Sequence, residues 1–92
     1  MKNLATVFLK VEPNSKNDVR DKLQDRGLKF AETEGLWDFV VEIQDTNLNC
    51  DVPQEYALWQ VADKICSMSG VISYNVDMTP QEFNERKWEY FL

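Results

Sequence analysis

The sequence predicts an α+β domain with the element order β-α-β-β-α-β and one further helix at the C-terminus. Three observations predict it. Two-residue alternation of apolar side chains marks residues 4–11, 36–44 and 71–78, helical spacing marks 15–26 and 53–68, and a capping signature opens a last helix at Thr79. A chain of 92 residues closes a single core, so residues 1–92 are read as one domain.

In the first segment Val7, Leu9 and Val11 share one side and Thr6, Phe8 and Lys10 the other, the pattern of a strand. Glu12, Pro13, Asn14 and Ser15 end it. From Ser15 to Arg26, Val19 and Leu23 repeat at helical spacing among alternating charges, and Gly27 is placed as a left-handed stop. Leu28 to Glu34 reads as a weaker strand, and Glu34-Gly35 as the turn into residues 36–44, where Trp37, Phe39, Val41 and Ile43 are expected on one face. Asp45 to Pro53 is a polar loop rich in turn formers.

The second helix, from Pro53 to Met68, carries Leu58, Val61, Ala62, Ile65 and Met68 as a stripe wide enough to cover a sheet. Ser69-Gly70 stops it. In the last strand Ile72, Tyr74, Val76 and Met78 alternate with Ser73, Asn75 and Asp77. Thr79 and Glu82 then form a capping box with Pro80 at the first helical position, and the helix they open carries Phe83, Trp88, Tyr90, Phe91 and Leu92.

Right-handed crossovers put both main helices on one face of an antiparallel four-stranded sheet, the ferredoxin-like split-βαβ arrangement. The opposite face then carries Leu4, Phe8, Leu36 and Val40, with Phe30 a further candidate, and is too apolar to face water. Either the C-terminal helix or a second subunit has to cover it. Phe8 and Val40 on the sheet, with Phe83, Trp88, Tyr90 and Phe91 on the helix, are therefore the candidate binding residues.

The hydrophobic fraction of 43% excludes intrinsic disorder. Sixteen acids against ten bases leave a net charge of -6, which opposes nonspecific attraction to phosphate backbones and anionic membranes and steers basic partners towards the chain. The apolar run after Lys2 is too short for a signal sequence, and no segment approaches the length of a membrane span. A cytoplasmic address with reduced Cys50 and Cys66 is the expectation.

The chain has no histidine, which removes the usual general base and the commonest metal ligand. Asp45 to Asp51 begins like a calcium-binding EF-hand loop. Cys50 stands where that loop needs glycine and Tyr56 where it needs a bidentate glutamate, so no metal and no cofactor are expected. Glu82, Glu85 and Glu89 on the last helix read as solvated acids rather than an acid-base pair.

Lys16, Arg20, Arg26 and Lys29 gather on or just after the first helix and are the candidate nucleic-acid contacts. Asp18, Asp21 and Asp25 are interleaved with them, so a salt-bridged, solvated face outweighs a phosphate-binding patch.

The βαββαβα order, with Asp77-Met78-Thr79, then Glu82-Phe83 and a closing aromatic cluster, resembles the small ferredoxin-like antitoxins of the GhoS type, RNA-cleaving regulators of a membrane toxin's message. The matching positions are structural, and the resemblance places no catalytic residue on this chain. Ser69-Gly70-Val71, introducing the last strand, is similar to NapD-type signal-peptide chaperones and to the ligand-sensing domains of Lrp-type regulators. Those relatives imply work through a sheet edge or a sheet-to-sheet dimer.

The reading that joins these features is a small cytosolic protein-binding regulator of antitoxin or inhibitor type, acting through a sheet face or edge and the aromatic helix, with binding favoured over catalysis. A GhoS-like single-stranded RNA endoribonuclease and a NapD-like peptide chaperone are the alternatives. A homodimer bridged by the last helix is compatible with all three.

Overall fold

The computed structural model describes residues 3–77. Strand β1 (Asn3–Val11) leads through a 3-10 turn at Pro13–Ser15 into helix α1 (Lys16–Asp25). Strands β2 (Lys29–Glu32) and β3 (Phe39–Gln44) follow, then helix α2 (Gln54–Cys66) and strand β4 (Val71–Asp77). The result is an α+β arrangement of two α-helices and a four-stranded antiparallel sheet in the order β2-β3-β1-β4, compatible with a ferredoxin-like fold. The helix expected after Thr79 lies outside the described residues.

Helix α1 starts as a continuation of the 3-10 turn, whose Pro13 gives up no needed N-H. It ends in a Schellman motif. The Gly27 N-H donates to the Gln24 carbonyl at 2.9 Å, the Leu28 N-H donates to the Leu23 carbonyl at 3.2 Å, and Gly27 takes φ +68°. Leu23 and Leu28, the pair that this motif brings together, are both buried in the core, so the helix stop and the packing reinforce each other.

One core fills the space between the helices and the sheet. β1 contributes Ala5, Val7, Leu9 and Val11, β3 contributes Phe39, Val41 and Ile43, and the helices add Val19, Leu23, Ala62 and Ile65. The register makes these rows continuous, because Val7 lies opposite both Val41 and Val76, and Leu9 opposite both Phe39 and Tyr74. Burying a leucine or phenylalanine of this kind stabilises by about 2–3 kcal/mol each. Ala57 of α2 is buried as well, at a position outside the expected stripe.

Four side chains depart from the alternation. Trp37 packs against Phe8 with ring centroids 6.0 Å apart, on the face opposite Phe39, Val41 and Ile43. The cause is a bend at Asp38, whose N-H donates to the Leu9 carbonyl and whose carboxylate accepts the Val11 N-H, both at 2.8 Å. Phe30 faces the core and meets Phe39 edge-on at 5.9 Å, while Leu36 sits exposed in the turn before β3. In β4 a bulge opposite Lys10 and Val11 makes Ile72 the extra residue, so Val71 packs on the core and Ile72 faces outwards.

The second sheet face holds Leu4, Phe8 and Val40, all buried as the apolar pattern requires. Between them a polar row runs across the four strands, Lys29–Glu42–Thr6–Asp77. Lys29 Nζ lies 3.3 Å from Glu42 Oε2, and Thr6 Oγ1 is buried with no hydrogen-bond partner among the described residues.

Two substitutions test this packing. Gly70 has φ +95° and its carbonyl accepts the Glu12 N-H at 2.8 Å, while an added Cβ would overlap the Ser15 side chain. Gly70→Ala is expected to cost about 2–3 kcal/mol in urea denaturation, and adding Ser15→Gly should restore only the steric part. Thr6→Val, which replaces an unpartnered hydroxyl by a methyl of similar volume, should raise stability by about 1 kcal/mol by the same measurement.

Candidate functional site

Only part of the sequence-predicted set lies among the described residues. Phe8 and Val40 are buried within the fold, and Phe83, Trp88, Tyr90 and Phe91 lie outside the described residues. Three of the four candidate phosphate contacts are taken up by acids. Lys16 Nζ is 4.0 Å from Asp38, Arg20 is ion-paired with Glu32 and donates to Asn17 at 2.8 Å, and Lys29 is paired with Glu42.

Arg26 borders a depression of about 210 Å³, lined also by Leu28, Asn47, Val61, Lys64 and Ile65. Asn47 is already committed there. Its Oδ1 accepts the Gln44 N-H at 2.9 Å and its Nδ2 donates to the Gly27 carbonyl at 3.4 Å, which ties the turn after β3 to the end of α1.

A different surface concentrates the unexplained apolar area. Of the large hydrophobic residues exposed among the described ones, Leu36 lies in a turn and the other four lie on α2 and β4. They are Tyr56 at 66%, Trp59 at 53%, Ile72 at 58% and Tyr74 at 57% exposure. Tyr56, Trp59, Asp63 and Cys66 recur at i, i+3, i+7 and i+10, a second stripe beside the core stripe of the same helix.

That stripe borders β4. Trp59, Ala62, Asp63 and Cys66 from α2 and Tyr74 and Val76 from β4 line a shallow groove of about 80 Å³. Trp59 is also a wall of a neighbouring depression of about 450 Å³ formed with Gln54, Glu55 and Leu58. An aromatic wall, acidic side chains and an exposed strand edge therefore meet along one side of the molecule. The offset of Tyr56 and Trp59 from the core stripe is legible in the sequence, but the proximity of Trp59 to β4 depends on the crossover.

The groove presents the Trp59 indole, the Asp63 carboxylate, the Cys66 thiol and the Tyr74 phenol. Among the described residues no cluster of three or more cysteine or acidic side chains is placed to hold a metal, and no helix is long and apolar enough to cross a membrane. The Cys66 thiol is half-buried, and its burial, aided by the Asp63 carboxylate, pushes it up to about 11. It is a protonated, weakly nucleophilic thiol at neutral pH.

The two cysteines should consequently separate in alkylation. At pH 8 iodoacetamide should label the exposed Cys50 well before Cys66, and the Cys66 rate should climb about tenfold per pH unit towards pH 10, read by peptide mass spectrometry. Equal labelling of both thiols at pH 8 would contradict the shielded site.

Comparison of the chain with protein-family models, curated proteins and solved structures gives no match.

Proposed function

We propose that this chain is a small cytoplasmic regulatory protein of the antitoxin or inhibitor type, built on a ferredoxin-like fold, that works by docking a protein partner along β4 and α2. The observation that carries the reading is an edge strand whose exposed Tyr74 shares a groove with the exposed Trp59 of α2. Exposed aromatics grouped at one place on a small acidic domain are expected of an interface rather than of solvent-facing surface. The antiparallel order β2-β3-β1-β4 supports the fold assignment, and the free thiols of Cys50 and Cys66 support a reducing compartment.

The reading includes the aromatic C-terminal helix foreseen from the sequence, outside the described residues, with Phe83, Trp88, Tyr90 and Phe91 adding to partner contact. A ribonuclease reading is less well supported, because Lys16, Arg20 and Lys29 are engaged by carboxylates and the chain is acidic.

The test compares the wild-type chain with Trp59→Ala, Tyr74→Ala and a truncation after Met78, each checked for folding by circular dichroism and used to capture partners from the native cell. A partner held by the wild type should bind about 30-fold more weakly to the Trp59→Ala variant, the loss typical of an aromatic hot spot. Undiminished binding by Trp59→Ala and Tyr74→Ala would remove the proposed site, and undiminished binding by the truncated chain would remove the C-terminal helix from it. Incubation with labelled single-stranded RNA, with and without magnesium, decides the alternative. Cleavage lost on replacing Arg20 or Arg26, in folded protein, would replace docking by catalysis.

A further inference from the structure

We infer that the β4 edge and the α2 rim receive an extended basic segment of a protein partner, added to the sheet as a fifth strand. This rests on the docking reading above and adds the chemistry of what docks.

The two edges of the sheet differ in the way they meet solvent. β2 is four residues long and carries Lys29 and Glu32, each held in an ion pair, so charged side chains guard it. β4 is seven residues long, its sequence is VISYNVD, and it contains no lysine, arginine or proline. Among the described residues it pairs with β1 alone, which leaves its outer backbone groups available to another strand.

Charge selects the occupant. Glu55 and Asp63 line the two depressions on either side of Trp59, and no basic side chain lines either one among the described residues. Lys64, the nearest base in sequence to Asp63, lines the separate depression on the other flank of α2 with Arg26. The negative field of the groove already acts on Cys66, where Asp63 opposes formation of the thiolate. A cationic segment gains from this field, and can also place a guanidinium or ammonium over the Trp59 or Tyr74 ring.

Spacing gives the segment a pattern. Glu55 and Asp63 are separated by about 12 Å along the helix axis, at 1.5 Å per residue. Side chains four apart on one face of a strand are separated by about 13 Å. A segment with basic, apolar and basic residues at alternate positions thus brings its cations to Glu55 and Asp63 and its central apolar side chain to Trp59. A second copy of this chain is a poorer occupant, since edge pairing about β4 would bring two acidic rims together, and a nucleic-acid phosphate backbone meets the same repulsion.

The experiment titrates isotope-labelled full-length protein with a short synthetic peptide in which lysine, leucine and lysine alternate with threonine, followed by nuclear magnetic resonance. Matched peptides carry glutamate in place of lysine, or proline at the positions that would donate to the edge. The lysine peptide is expected to shift the backbone amides of Ile72 to Val76 and the Trp59 indole, and the other two to shift neither. Asp63→Asn should weaken the lysine peptide about two- to five-fold, the range of an exposed ion pair, and added salt should weaken it similarly.

Equal binding of the glutamate peptide would overturn the basic partner and leave edge docking standing. Shifts at Trp59 without shifts in β4 would overturn strand addition. Shifts that grow with protein concentration alone would make a second copy the occupant, and shifts caused by single-stranded RNA would make it a nucleic acid. No response of β4 to any peptide would end the inference, while the partner-capture comparison of Trp59 and Tyr74 variants would still decide the docking reading separately.

Discussion

Strand β1 has a hydrogen-bonded neighbour on both sides, and its inward row of Ala5, Val7, Leu9 and Val11 forms the floor of the core against which the helices pack. Everything else is positioned from it. Its pairing with β3 sets which residues of β3 face the helices, and its pairing with β4 sets where the edge strand lies beside α2. A one-residue slip along β1 would turn the Val41 and Phe39 row out of the core, so the hydrophobic burial and the register depend on each other. Asp38 secures the end of this arrangement by taking the Val11 N-H on its carboxylate, where backbone pairing alone leaves the strand end unfinished.

The same central strand accounts for the uneven surface. With β1 and β3 inside the sheet, the two edges are β2 and β4, and they have been treated differently by the sequence. The β2 side is closed with ion pairs, Lys29 to Glu42 and Arg20 to Glu32, which tie the edge to β3 and to α1. The β4 side is left with Ile72 exposed and with Tyr74 facing Trp59 across the groove. An unguarded edge costs a protein through unwanted association, and its retention here beside an aromatic wall is the physical ground for reading it as a working surface.

Charge is distributed to the same effect. The bases of α1 and β2 that looked available for phosphate are largely neutralised by partners from distant parts of the chain, Asp38, Glu32 and Glu42. The acids around Trp59 are not balanced by any base lining the groove among the described residues. Net charge of -6 therefore understates the local difference, since the acidic excess is felt where the apolar side chains are exposed.

Much of this was legible in the chain. Alternation and helical spacing located the six described α-helices and β-strands to within a few residues, and Gly27 at the end of α1 and Gly70 at the entry to β4 take positive φ that other residues resist. The sequence also determined the acidic balance, the lack of histidine and the apolar character of both sheet faces. It misplaced Trp37 and Ile72, since a bend and a bulge shift the period of two without any change in local composition. Only the tertiary structure decided that Trp59 stands beside β4, that Phe30 turns inwards, and that Arg20 and Lys29 meet carboxylates from other elements. Periodicity reports which side of its own element a residue occupies, whereas the α2 crossover and the pairing of β1 with both neighbours determine which other residues that side will meet.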